Sequence, residues 1–159
     1  MISSPKILSW DEAAQLAEDC RERGGVVVTT NGCFDILHRG HVSYLSQSRE
    51  LGDLLLIGIN SDESVRKLKG PGRPLNNELD RAFVLASLRH VDGVCIFSDA
   101  NPNSWLDCIK PQIHAKGGDY TPETMPEQKV LARWGGRIVV LPFVPGHSTT
   151  AILGSPKKT

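Results

Sequence analysis

The sequence has no excess of either charge: 18 Lys and Arg against 18 Asp and Glu leave a formal net charge of zero. That balance removes bulk electrostatic attraction to nucleic acid or an anionic membrane, so a phosphate ligand must be held by a local cluster of cations. Cys20, Cys33, Cys95 and Cys108 are widely spaced and form no CxxC pair. They fit neither a zinc site nor a disulfide framework and read as reduced cytosolic thiols. No apolar run approaches the roughly 20 residues of a membrane-spanning helix, and Met1 to Trp10 lacks the apolar core of a signal peptide. The expectation is a cytoplasmic protein with no membrane or nucleic-acid partner. Also missing are a Gly-x-x-x-x-Gly-Lys-Ser/Thr phosphate loop, a Ser/His/Asp nucleophile set, internal repeats, and low-complexity sequence beyond Lys157-Lys158-Thr159.

What is present suits one globular domain over residues 1–159, at 40% hydrophobic and 23% charged content. Ser9 and Glu12 form a capping box that opens an amphipathic N-terminal helix, Ser9 to Gly24, before a core over 26–150 and a tail over 151–159. Val26–Thr30 reads as a first buried strand and Leu54–Ile59 as a second, because both are continuous apolar or β-branched runs. Further strands are expected at Val94–Phe97, Gln112–Ala115 and Ile138–Leu141. Helices are expected after Gly40, from Ser61 to about Leu68, over Asn77–Arg89 with Leu79 and Phe83 among its apolar positions, over Trp105–Ile109, over Pro126–Trp134, and from His147. Lys69-Gly70-Pro71-Gly72-Arg73-Pro74 reads as loop.

Alternation of this kind predicts an α/β fold, a doubly wound Rossmann-like parallel sheet of about five strands. In such sheets ligands sit beyond the carboxyl ends of strands. The unusual loops all follow strands: Thr29–His41, Asn60-Ser61-Asp62, Lys116-Gly117-Gly118-Asp119 and His147-Ser148-Thr149-Thr150. They should therefore share one edge and build one site. The inventory there is His38 and His41 at a helix N-terminus, the cations Lys67, Lys69 and Arg73, Gly-Gly backbone and a Ser-Thr-Thr helix start. Donors and cations without a covalent nucleophile suit phosphoryl or nucleotidyl transfer, where positioning and charge stabilisation carry the reaction.

His38-Arg39-Gly40-His41 resembles the HxGH signature of the nucleotidyltransferase superfamily related to class I aminoacyl-tRNA synthetases. The longer string from Asn31-Gly32-Cys33-Phe34-Asp35-Ile36-Leu37 through His41 is similar to the heptose-phosphate adenylyltransferases and to glycerol-3-phosphate cytidylyltransferases. Residues 67–74, Asp80-Arg81 and 116–120 look like the heptose branch, in a stand-alone form without the upstream sugar-kinase domain. The resemblance implies transfer of AMP from ATP, carrying Mg²⁺ on its triphosphate, to D-glycero-β-D-manno-heptose 1-phosphate, for lipopolysaccharide core or a related glycan. It implies no metal ligands from protein side chains, and a homodimer. It assigns Thr30, Asn31, Gly32, Cys33, Phe34, Gly40, Lys116, Gly117, Gly118, Asp119, His147, Ser148, Thr149 and Thr150 to the nucleotide. His38, His41 and Lys69 become catalytic, while Asp35, Asn60, Asp62, Lys67 and Arg73 face the sugar phosphate. The sequence departs from the family pattern where His114-Ala115 replaces Leu-Val, and where Met125–Lys129 replaces a small, Gly-containing segment.

Each assignment has a plainer counterpart. His38 and His41 with Asp35 could hold a metal or merely cap a helix; Lys67 and Lys69 could be a solvated face. Asp62 and Asp119 could be turn or cap residues, Cys33 a small filler, and Ser148-Thr149-Thr150 ordinary N-cap chemistry. Trp10, Trp105 and Trp134 read as core or interface. A CTP-dependent polyol-phosphate enzyme and a non-catalytic nucleotide sensor remain as rival functions.

Overall fold

A computed structural model describes residues 3–118 and 120–142. Helix α1 (Trp10–Glu22) leads to β1 (Val27–Gly32), α2 (Arg39–Glu50), β2 (Leu54–Asn60), α3 (Asp62–Lys69) and α4 (Glu78–Ala86). Then come β3 (Gly93–Phe97), α5 (Asn103–Ile109), β4 (Ile113–Gly117), a 3-10 turn at Pro122–Thr124, α6 (Pro126–Ala132) and β5 (Arg137–Leu141). All strand pairs are parallel, in the order β3-β2-β1-β4-β5. The chain thus starts in the middle of the sheet and winds outward to both sides.

Alternation along each strand divides the core into two layers. Val27, Leu54, Leu56, Cys95 and Phe97 pack with Ala13, Ala17 and Cys20 of α1 and with Trp105, Leu106 and Ile109 of α5. Their neighbours Val28, Leu55, Ile57, Ile59, Val94, Ile113 and Ala115 pack with Leu45 of α2 and Ala82, Leu85 and Ala86 of α4. β2 is buried at all seven positions, as a strand covered on both faces must be. Gly58 in this strand gives the Trp105 indole room: a Cβ there would sit 2.7 Å from its Cε3. Trp105 is fully buried, while Trp10 and Trp134 anchor element ends by donating to the Ile96 and Pro111 carbonyls.

Several boundaries differ from the sequence reading. β1 and β4 run on through Asn31-Gly32 and Lys116-Gly117, so these residues are held by the sheet ladder at its carboxyl edge instead of by loops. Lys69 is the last helical residue of α3, and Gly70 with φ 97° ends the helix. α4 stops at Ala86, where the Ser87 amide turns back onto the Phe83 and Val84 carbonyls. Its Leu79 and Phe83 face outward, 54% and 40% exposed, because the inner face carries Arg81, Ala82, Leu85 and Ala86. The helix expected from His147 lies outside the described residues.

Candidate active site

The carboxyl end of β1 turns sharply into α2. Phe34 adopts φ 49°, unusual for a residue with a side chain, and its ring folds back over Gly32. A Cβ at Gly32 would lie 2.9 Å from that ring, so glycine is required there. The chain then reaches His38, which is the N-cap of α2 in place of the usual hydroxyl or carboxylate.

Both imidazoles close the helix end through Nδ1. His38 Nδ1 accepts from the Gly40 amide at 3.0 Å, and His41 Nδ1 accepts from the His38 amide at 3.4 Å. A neutral ring that accepts through Nδ1 carries its proton on Nε2, so each His is set as an Nε2–H donor. The rings stack at 3.8 Å with 25° between planes, and the Phe34 ring meets His41 edge-on at 5.3 Å. Burial pushes the His41 pKa down to about 4, helped by the neighbouring His38 and Lys69 and opposed by a hydrogen bond with the Ile36 backbone. His41 is therefore neutral at physiological pH. Lys69 itself is exposed at the end of α3, and its charge lowers the pKa of both the His41 ring and the Cys33 thiol.

Asp35 ties the segment after α3 to this turn. Its carboxylate accepts from the Leu75 and Asn76 amides at 2.8 and 2.9 Å and from Arg73 Nε at 2.7 Å, while Asn76 Nδ2 donates to its carbonyl at 2.6 Å. Burial alone would raise the Asp35 pKa; the Asn76 and Leu75 amides and the Arg73 guanidinium outweigh it and hold the acid below its usual range. Asp35 thus spends its oxygens on the loop, whereas Arg73 keeps Nη2, buried and without a hydrogen-bond partner.

Behind the turn sits Arg81, 2% exposed. Its guanidinium donates to the Cys33 and Asn60 carbonyls at 2.8 Å each and to the Asn76 carbonyl at 2.9 Å, and pairs with Asp62 at 2.8 Å. One side chain thereby joins the ends of β1 and β2, the start of α3 and the loop before α4. The sequence reading noted Arg81 only within a family-like dipeptide. Its signal was an arginine next to Ala82 on the inward side of an amphipathic helix.

The remaining assignments separate cleanly. Asn60 is buried, donating to Ser64 Oγ at 2.9 Å and accepting from the Cys33 thiol at 3.8 Å. Burial pushes the Cys33 thiol pKa up, against the pull of Lys69, Arg81 and Arg73, as suits a filler. Thr30 is fully buried and donates to the Ala115 carbonyl at 3.0 Å, with the Tyr44 hydroxyl on its oxygen at 2.7 Å; its side chain supports the site from below. Lys67 pairs with Glu63 at 3.1 Å on an exposed helix face, the solvated arrangement. Lys116 Nζ donates to Asn31 Oδ1 at 3.0 Å, across the ends of β4 and β1. Gly118, at φ 109°, donates its amide to the Leu141 carbonyl. Asp119, His147, Ser148, Thr149 and Thr150 lie outside the described residues. His114 and Glu127, met in the sequence only as departures from the family pattern, and Tyr44 also bear on this edge.

Comparison with known proteins places this geometry. The chain is 48% identical over 151 residues to the bifunctional protein HldE of Trichlorobacter lovleyi, covering 95% of this chain and 31% of that protein. It is 50% identical, with the same coverage, to the bifunctional protein HldE of Pelobacter propionicus. The chain thus spans 31% of the length of these curated relatives. The crystal structure of a lipopolysaccharide core biosynthesis protein from Thermoplasma volcanium superposes with a TM-score of 0.61 at 26% identity, covering 76% of this chain and 98% of that one. The cytidylyltransferase-like family model matches residues 29–153, a span that runs from within β1 past β5, and the chain belongs to that family.

Proposed function

We propose that the protein transfers AMP from ATP to D-glycero-β-D-manno-heptose 1-phosphate, giving ADP-heptose and pyrophosphate. The observation that carries the chemistry is the stacked His38–His41 pair, both Nδ1 atoms taken by backbone amides at the N-terminus of α2. Likeness to proteins named HldE over 95% of the chain supports the heptose substrate. ATP enters as its magnesium complex, so the ion belongs to the substrate.

A sugar phosphate has a second pKa of about 6 and is largely dianionic at neutral pH. One of its oxygens attacks the α-phosphorus, the bond to pyrophosphate breaks, and no proton need be removed. The protein's task is to align the two anions and stabilise charge on the phosphate oxygens. His38 and His41 donate through Nε2–H, and the helix N-terminus adds its partial positive charge. Lys69 neutralises charge beside them, and Arg73 Nη2 receives the sugar phosphate while Asp35 orients the guanidinium. Asn31, Gly32, Cys33, Phe34 and Gly40 with the 116–119 segment receive the nucleotide, and His147 to Thr150 the distal phosphates.

This nucleotidyltransferase domain works in the cytoplasm, in keeping with its four free cysteines. Leu79 and Phe83, one turn apart and exposed on α4, favour a homodimer through that face. Pyrophosphate release measured across four nucleoside triphosphates and a panel of sugar phosphates tests the substrate pair. ATP with the heptose 1-phosphate should turn over fastest; robust turnover with CTP and glycerol 3-phosphate alone would overturn it.

A further inference from the structure

Beside the histidine pair, a string of polar side chains crosses the carboxyl ends of β1 and β4. Asn31 Oδ1 can only accept, so His114 donates to it through Nε2 at 3.1 Å, and the Thr29 hydroxyl donates to His114 Nδ1 at 2.7 Å. Lys116 Nζ donates to the same Asn31 oxygen at 3.0 Å and lies 3.9 Å from Glu127 Oε1. Glu127 is 8% exposed, and its other oxygen, Oε2, is buried with no hydrogen-bond partner.

An ion pair does not account for this carboxylate. The Lys116 contact is at the outer limit of such pairs and engages the other oxygen. Oε2 has lost water and gained no donor from the folded chain, an arrangement that costs stability unless something else supplies the donor. Asn31 and Lys116 are already placed against the nucleotide by the functional reading, and Glu127 stands next to Lys116, which bridges it to Asn31. His114 and Glu127 also fall in the two segments where the sequence departs from the heptose-enzyme pattern, and the fold brings them into one string.

We propose that Glu127 binds the nucleoside half of the nucleotide: Oε2 accepts a hydrogen bond from the exocyclic amine of the base or from a ribose hydroxyl. Lys116, Asn31 and His114 hold the carboxylate and its surroundings in register. The inference rests on the nucleotidyl-transfer reading and adds a specificity residue to it.

The test is a chemical double-deletion cycle on the full chain. Titration calorimetry and pyrophosphate release compare wild type, Glu127→Ala and Glu127→Gln with ATP, purine riboside triphosphate, 2′-deoxy-ATP and 3′-deoxy-ATP. Glu127→Ala should bind ATP about 10- to 100-fold more weakly, the range expected for a hydrogen bond to a charged group. Its kcat/KM should fall mainly through KM, and its Tm should not fall, since an uncompensated buried charge has been removed. Glu127→Gln, which keeps an acceptor oxygen, should recover part of the affinity. The analogue missing the contacted donor should bind wild type weakly and lose nothing further in Glu127→Ala, which also distinguishes amine from hydroxyl. Unchanged affinity of Glu127→Ala for all four nucleotides would overturn the proposal. So would an equal loss for all four accompanied by a fall in Tm. A wild type that binds ATP but transfers nothing would sink the functional reading instead, and the binding cycle would still decide the role of Glu127.

Discussion

His38 and His41 satisfy the amides at the start of α2 with ring nitrogens, and this ties a structural duty to the catalytic one proposed for them. His41→Ala should lose about 10²–10³ in kcat, the usual cost of one well-placed donor to a developing anion. His41→Asn, which can donate but cannot act as a base near neutral pH, should recover part of that loss. Equal rates for the two variants in steady-state assays would point to a general base. An NMR titration of the free protein should show the His41 ring titrating near 4, with no inflection at the ordinary imidazole value, because burial and the adjacent ring disfavour the cation. Arg81 is structural in a stricter sense. Arg81→Met strands three carbonyls, the buried one of Asn60 among them, and the Asp62 carboxylate, so denaturant unfolding should report a loss of about 3 kcal/mol.

At the scale of elements, Asp35 fastens residues 73–76 to the β1–α2 turn, about forty residues away in sequence. Asp35→Asn keeps the shape but loses acceptor capacity, so Leu75 and Asn76 amides should exchange with solvent faster in hydrogen-exchange measurements. Unchanged protection at these amides would show that the loop is held by other means. Lys69 stands at the carboxyl end of α3, just before Gly70, where its charge favours the helix terminus and is felt at His41. Lys69→Ala should therefore lower kcat/KM strongly while shifting Tm by little, because the side chain is exposed. The strands were legible in sequence for a simple reason: β2 and the first half of β1 are apolar runs, and burial on both faces allows nothing else. The His pair was legible because its spacing and flanking glycines are local. Arg81, His114 and the true engagement of Asp35 were not, since each is defined by partners dozens of residues away. Leu79 and Phe83 misled the reading of α4 because they hold helical spacing on the outer face while a buried arginine occupies the inner one.

For the whole molecule, two neutral histidines make stability depend on mildly acidic pH. Burial, with the Lys116 charge beside it, pushes the His114 pKa to about 3, and that of His41 is about 4, against about 6.5 for either in the unfolded chain. Between these values the unfolded chain binds protons that the folded one refuses. Stability is thus fully present above pH ~6.5 and is lost as pH falls toward the folded pKa values, by at most about 1.4 kcal/mol per pH unit for each histidine. Urea midpoints recorded from pH 7.5 to 4.5 should fall along this slope, and His114→Gln should flatten it. The proposed homodimer belongs to the same scale: sedimentation should find wild type dimeric and Phe83→Glu monomeric, and a monomeric wild type would remove the proposal. The proposed reaction turns on which bond of ATP is broken. ATP labelled at either the α- or the γ-phosphorus, incubated with the heptose 1-phosphate, decides it most directly. The account predicts α-label in the sugar nucleotide and γ-label in pyrophosphate; γ-label in the sugar product would mean phosphoryl transfer and would contradict it.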